Sequence, residues 1–220
     1  MTITTVPLTL VHKIVPPGPQ TREPFPALVF LHGRGADEDD LLGLAPFLDP
    51  GFLILSVRAP FQFPAGGWTW YELHGVGKPH QQEFAESYDR LGQFLADLKK
   101  QYPVDSKRLF LFGFSMGAVM SYAMSLTKPE EIAGIVAHSG YIPEQISPRF
   151  ALDKLQNSSF FVAHGIHDPV IPVQFGRHAK DLLTRTKARL EYHEYPIAHQ
   201  ISEESITDCA NWLKKNLEKK

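Results

Sequence analysis

The sequence predicts an α/β protein in which one mostly parallel sheet is covered by helices on both faces. Three observations predict it. Short β-like runs alternate with longer segments of helical period. Several of the runs are apolar throughout, as strands buried on both faces must be. The 220 residues, 43% of them hydrophobic, are enough to bury the core of one domain spanning 1–220.

The predicted strands cover residues 9–15, 27–32, 52–57, 109–114, 132–138, 160–164 and 189–195. The clearest helix covers 82–102, where Phe84, Tyr88, Leu91, Leu95, Leu98 and Tyr102 recur at alternating steps of four and three. Further helices are expected after Glu38, after Ser115, over 173–187 and over 202–217, the last with Ser202 as its N-cap. Residues 58–79 break the alternation. They carry prolines, glycines and the aromatics Phe61, Phe63, Trp68, Trp70 and Tyr71, largely without strand or helix period. A loop of this length in a compact domain is usually functional or disordered, and its aromatic content argues against disorder. These five residues are candidates for a substrate wall. Packing of the loop onto the sheet by the same rings is an equal alternative.

Composition excludes several classes of function. A formal net charge of −2, with acidic and basic residues interspersed, leaves no basic stripe for nucleic acid. The N-terminus lacks the charged start and apolar stretch of a signal peptide, and no segment has the apolar length of a bilayer span. A soluble cytoplasmic protein without stable membrane insertion is expected. The single cysteine, Cys209, lies among Ile206, Ala210 and Leu213 and reads as a packed side chain. There is no internal repeat or low-complexity tract.

The chemistry centres on Gly113-Phe114-Ser115-Met116-Gly117. A GxSxG match alone is common by chance. Here the run Leu109 to Gly113 reads as a buried strand and Met116 onward as a helix, so Ser115 falls on the strand-to-helix turn. Small neighbours let a strained serine stand above the sheet edge there, as in the nucleophile elbow of α/β hydrolases. A serine hydroxyl needs a general base, and the base needs an acid to orient it. Asp168 follows the 160–164 strand and precedes Pro169. His199 follows the strand ending near Tyr195. Both occur in the order serine, acid, histidine that this fold requires. The competing histidines His138, His164 and His167 lack that order or that place. The string His164 to Asp168 offers a metal-ligand alternative, but no distant further ligand is indicated, and no metal is expected.

The oxyanion formed on attack by Ser115 needs donors. The turn Gly33-Arg34-Gly35 after the 27–32 strand supplies one backbone N–H, that of Arg34, and the residue after the nucleophile, Met116, supplies the other.

Taken together the motifs resemble the phospholipase/carboxylesterase family of small α/β hydrolases, which includes acyl-protein thioesterases and broad-range bacterial esterases. The resemblance is carried by Leu31-His32-Gly33-Arg34-Gly35-Ala36-Asp37, Arg58-Ala59-Pro60, Trp70-Tyr71-Glu72, the elbow, Ser139-Gly140-Tyr141-Ile142-Pro143, the stretch from His164 to Pro172, and Tyr195-Pro196-Ile197-Ala198-His199. It implies the α/β-hydrolase fold without a large cap, no cofactor, and cleavage of small-molecule carboxylic esters or thioesters. A homodimer is compatible with it. Three positions depart from the family pattern. Met116 replaces a common glutamine, Arg34 a common leucine, and Ala198 a usual glycine, which is tolerated if its φ is below zero. The Arg34 guanidinium is expected to meet either an anionic part of the substrate or, the favoured reading, a surface carboxylate such as Asp37. An idle hydrolase fold that only binds a ligand or partner is the alternative from another class, disfavoured by the intact triad. Dienelactone hydrolases carry cysteine where this chain has Ser115, and oligopeptidases need a further domain.

Overall fold

The computed structural model describes residue 3 and residues 5–218. Its elements, in chain order, are β1 (His12–Val15), β2 (Phe25–Leu31), β3 (Leu53–Val57), β4 (Phe61–Gln62), β5 (Trp68–Thr69), α1 (Gln81–Gln101), β6 (Val104–Phe114), α2 (Met116–Thr127), β7 (Gly134–His138), β8 (Ser159–Gly165), α3 (Gln174–Thr184), β9 (Arg189–Tyr195) and α4 (Glu203–Leu217). Seven strands form one sheet in the order β1-β3-β2-β6-β7-β8-β9. Only β1 runs antiparallel to its neighbour; every other pairing in this sheet is parallel. All seven expected strands are present.

Alternation along each strand divides the core in two. Ala27, Val29 and Leu31 of β2 pack with residues of α1, α2 and α3, whereas Leu28 and Phe30 pack with Ile206, Cys209, Trp212 and Leu213 of α4. Apolar side chains are needed on both faces because helices cover both, which is why the strands read as unbroken apolar runs. Cys209 is fully buried in the second layer, and burial pushes its thiol pKa up. Residues of α1 bury the predicted stripe of Phe84, Tyr88, Leu91, Leu95 and Leu98. Ser202 caps α4 as expected, in a reciprocal capping box with Ser205. Among the described residues no helix is long and apolar enough to cross a membrane.

One expected helix is absent. After Glu38 the chain forms only a 3₁₀ turn, Leu42–Phe47, with Gly43 and Pro46 inside it. Both residues oppose an α-helix, glycine by entropy and proline by its missing N–H. The segment 58–79 is also more ordered than expected. Its strands β4 and β5 form a small hairpin, and Trp68 exchanges backbone hydrogen bonds with Gly35 and Ala36 at 2.8 Å each. The loop is thereby fastened to the turn after β2.

Candidate active site

Ser115 joins β6 to α2 with φ 56° and ψ −118°. These angles match the first central position of a type II′ turn, a place otherwise left to glycine. Flanking glycines make the turn feasible. A Cβ on Gly113 would lie 2.3 Å from the Gly117 carbonyl oxygen, and a Cβ on Gly117 would lie 1.8 Å from that of Leu31. Strand, helix and the end of β2 therefore meet at backbone contact, and the serine hydroxyl stands at the junction.

The structure brings Asp168 and His199 to it. Ser115 Oγ lies 2.9 Å from His199 Nε2, and His199 Nδ1 lies 2.7 Å from Asp168 Oδ2. The hydroxyl and the carboxylate thus sit on opposite ring nitrogens, as general-base activation requires. The Asp168 side chain is fully buried, and its other oxygen accepts the Val170 and Ile171 amides at 2.8 Å each. With acceptor sites occupied on both oxygens, the carboxylate cannot rotate away from the imidazole.

The acid and base loops are stitched together. Ile166 N–H donates to Tyr195 O (2.9 Å) and His167 N–H to Ile197 O (3.1 Å). A Cβ on Gly165 would fall 2.3 Å from the Ala198 carbonyl oxygen, so glycine is required there for the loops to close. Ala198 has negative φ, since among the described residues only Ser115 and Ser139 are non-glycine residues with positive φ. The departure from glycine at Ala198 is accommodated without strain.

Two further histidines lie behind the triad. His164 Nε2 donates to Ile171 O at 2.7 Å and is 3.6 Å from Asp168 Oδ2, and burial lowers its pKa. It braces the acid loop. His138 contacts Ser139 Oγ and Ser205 Oγ at 3.1 Å each, and burial drives its pKa down to about 3. It ties β7 to the start of α4, just beyond His199.

The turn after β2 lies against the nucleophile, with the Cβ position of Gly33 3.4 Å from Ser115 Cβ. Arg34 N–H donates to no group among the described residues. Met116 opens α2, where an N–H has no intrahelical carbonyl to reach. Both amides expected to hold the oxyanion are therefore available. The Met116 side chain is buried, its sulfur 3.4 Å from the Thr69 hydroxyl, so it packs against the hairpin and leaves the pocket to other residues.

The structure sharpens two expectations. Arg34 meets a surface carboxylate as expected, but that carboxylate is Glu72, at 3.4 Å, and not Asp37; the guanidinium also lies 4.4 Å over the Phe63 ring. Asp37 instead accepts the Asp39 amide, a local turn that leaves it facing its own backbone. The aromatic loop residues mostly do not face an open cleft. Trp70 and Tyr71 are fully buried, Trp70 donating from Nε1 to His32 O at 3.0 Å. Phe63 lies under Arg34 and Trp68 under Arg58, whose guanidinium is 4.8 Å away and makes a bidentate pair with buried Glu38. Phe61, half-buried, pairs across the hairpin with Thr69. Phe63 and Trp70 pack on the turn after β2, while Tyr71 packs on Phe84 and reaches Tyr141, as the loop-packing alternative expects.

A cleft of about 340 Å³ opens elsewhere, with Tyr141, Ile142 and Phe175 as an apolar wall and Glu144, Gln145, Gln174 and His178 as polar lining. It begins one residue beyond Gly140, whose Cβ position is 3.2 Å from the backbone carbonyl oxygen of Ser115. In the sequence, Ser139 to Pro143 figures only as part of the family resemblance. The apolar pair Tyr141-Ile142, three residues past the end of β7, is the local signal for it.

The family model for phospholipase/carboxylesterase matches residues 14–217. The chain belongs to that family. It is similar to acyl-protein thioesterase 1 of Candida albicans, 27% identical over 218 residues that cover 88% of this chain and 93% of that protein. Acyl-protein thioesterase 1 of Yarrowia lipolytica is 28% identical over 92% of this chain and 99% of its own length. Among solved structures, the carboxylesterase of Bacillus cereus superposes with a TM-score of 0.84 at 25% identity, covering 94% of both chains. The fold of this family member is accordingly the α/β-hydrolase fold, with no large cap evident.

Proposed function

We propose that this serine hydrolase cleaves carboxylic esters or thioesters through an acyl-enzyme on Ser115. The observation that carries the reading is the hydrogen-bonded line Ser115 Oγ, His199, Asp168 at 2.9 and 2.7 Å. His199 takes the serine proton as Oγ attacks the substrate carbonyl. The negative oxygen develops against the Arg34 and Met116 amides. His199 then returns its proton to the leaving alcohol or thiol, and water repeats the cycle to release the acid.

The acyl or aryl group occupies the cleft of Tyr141, Ile142 and Phe175. The cleft is open to solvent, so its volume of about 340 Å³ sets no sharp limit on the length of that group. Its apolar wall of Tyr141, Ile142 and Phe175 suits an acyl chain or an aryl group. A fluorophosphonate probe should label the wild-type protein at Ser115 and leave Ser115→Ala unlabelled. Turnover of an aryl ester by that variant should fall on the order of 10⁶-fold. Wild-type turnover in purified Ser115→Ala would overturn the assignment.

A further inference from the structure

Resting on the acyl-transfer reading above, we infer that His32 is a positioning residue for the oxyanion site, orienting the Arg34 amide through the peptide that precedes it.

The hydrogen bonds around His32 leave one arrangement of its protons. The ring is buried at the end of β2, and the Ala59 N–H approaches Nε2 at 3.0 Å. A backbone amide can only donate, so Nε2 is the unprotonated nitrogen. The neutral ring then carries its proton on Nδ1, 2.6 Å from the Gly33 carbonyl oxygen. Nδ1–H therefore donates to Gly33 O. Protonating the ring would set an N–H against the Ala59 N–H, and burial opposes the charge as well, holding the ring's pKa below the usual histidine value.

The consequence follows from peptide geometry. Gly33 C=O and Arg34 N–H belong to one planar unit and point in opposite directions when it is trans. Among the described residues the cis bond is Glu23-Pro24, so this unit is trans. Tying the carbonyl to the His32 ring turns the Arg34 N–H away from that ring, where no protein group receives it. Ala36 N–H reaches the same carbonyl at 3.4 Å as a weaker second hold. The preceding peptide is fixed too, because Trp70 Nε1–H donates to His32 O at 3.0 Å. Two consecutive peptides of the turn are thus pinned before substrate arrives. Preorganisation of this kind lowers the barrier, since no donor has to reorient as charge develops.

Removing an oxyanion donor outright costs about 10² to 10³ in kcat. A donor that remains but swings freely costs less, so His32→Gln, which lacks a donor at the δ position, should lose about ten- to a hundredfold in kcat with KM within about twofold. His32→Asn places an amide N–H at the δ position and should recover most of that loss. Affinity for an aryl boronic acid, which forms a tetrahedral adduct with the serine, should fall in parallel with kcat/KM. Binding of the carboxylic acid product should not change. A folded His32→Gln with wild-type kcat and boronate affinity would overturn the inference, as would a loss that Asn does not restore. If His32→Gln does not fold, His32→Ala compared with His32→Asn decides by the same split between kcat and KM; equal kcat in the two overturns it. Ser115→Ala is the blank throughout. Turnover persisting in that variant refutes the acyl-enzyme reading itself, whereas Ser115-dependent turnover that ignores His32 refutes only this proposal.

Discussion

Replacing Ser115 by glycine should yield a dead protein that is more stable than the one made by replacing it with alanine. Both substitutions remove Oγ and its hydrogen bond to His199, so that loss cancels in the comparison. They differ at the backbone. With φ 56° and ψ −118°, residue 115 occupies a region where a Cβ is strained by about 1–3 kcal/mol. Alanine keeps that strain and glycine relieves it. Against this, glycine loses more chain entropy on folding, about 0.5–1 kcal/mol relative to alanine. The net advantage of glycine is about 1 kcal/mol. For a domain of this size that is roughly 2–4 °C in Tm, within reach of calorimetry or urea titration on the two purified variants. Equal stability, or a more stable alanine variant, would refute the claim that the elbow stores strain. It would imply that the surrounding contacts, not the backbone angles, dominate the energetics at this turn.

Two other perturbations follow from the structure. His138 is held neutral by burial, its pKa moved from 6.5 to about 3, so below pH 6.5 the unfolded chain binds a proton that the folded one refuses. Its contribution is complete above that pH and is lost as pH falls toward 3, by at most about 1.4 kcal/mol per pH unit. Urea unfolding between pH 4 and 7 should show a shallower acid slope in His138→Gln by about one proton, and identical slopes would exclude His138 as a source of acid lability. Phe175→Ala should widen the cleft beside Tyr141, whose ring lies 5.7 Å away, and shift the preferred acyl chain toward longer members of a p-nitrophenyl ester series. An unchanged chain-length profile would move the acyl site elsewhere.

Much of this was legible because parallel strands buried on both faces write themselves as apolar runs, and because an elbow needs glycines at fixed offsets. Gly113, Ser115, Gly117, Asp168 and His199 all declare their places by position relative to a strand end. What stayed hidden depends on partners far along the chain. The hold on His32 comes from Ala59, 27 residues away, and from Trp70, 38 residues away, so no local pattern distinguishes it from any histidine at a strand end. The partner of Arg34 is Glu72 rather than the nearby Asp37 for the same reason: the hairpin folds back over the turn, and proximity in sequence gives no clue to that. Trp70 looked like a pocket residue because a tryptophan in a long loop has two ordinary uses, and only its burial separates them. Ser139, with φ 55°, carries no local mark beyond the glycine that follows it.

The triad is shared among strands of unequal security. Ser115 is anchored to β6, which has neighbours on both sides, while His199 hangs from β9, the last strand of the sheet, bonded only to β8 and half-exposed along most of its length. An opening confined to β9 and the loop that carries His199 takes the base away while Ser115 stays on its elbow. Activity lost on heating and regained on cooling, below the global unfolding transition, would report the security of this one border of the sheet.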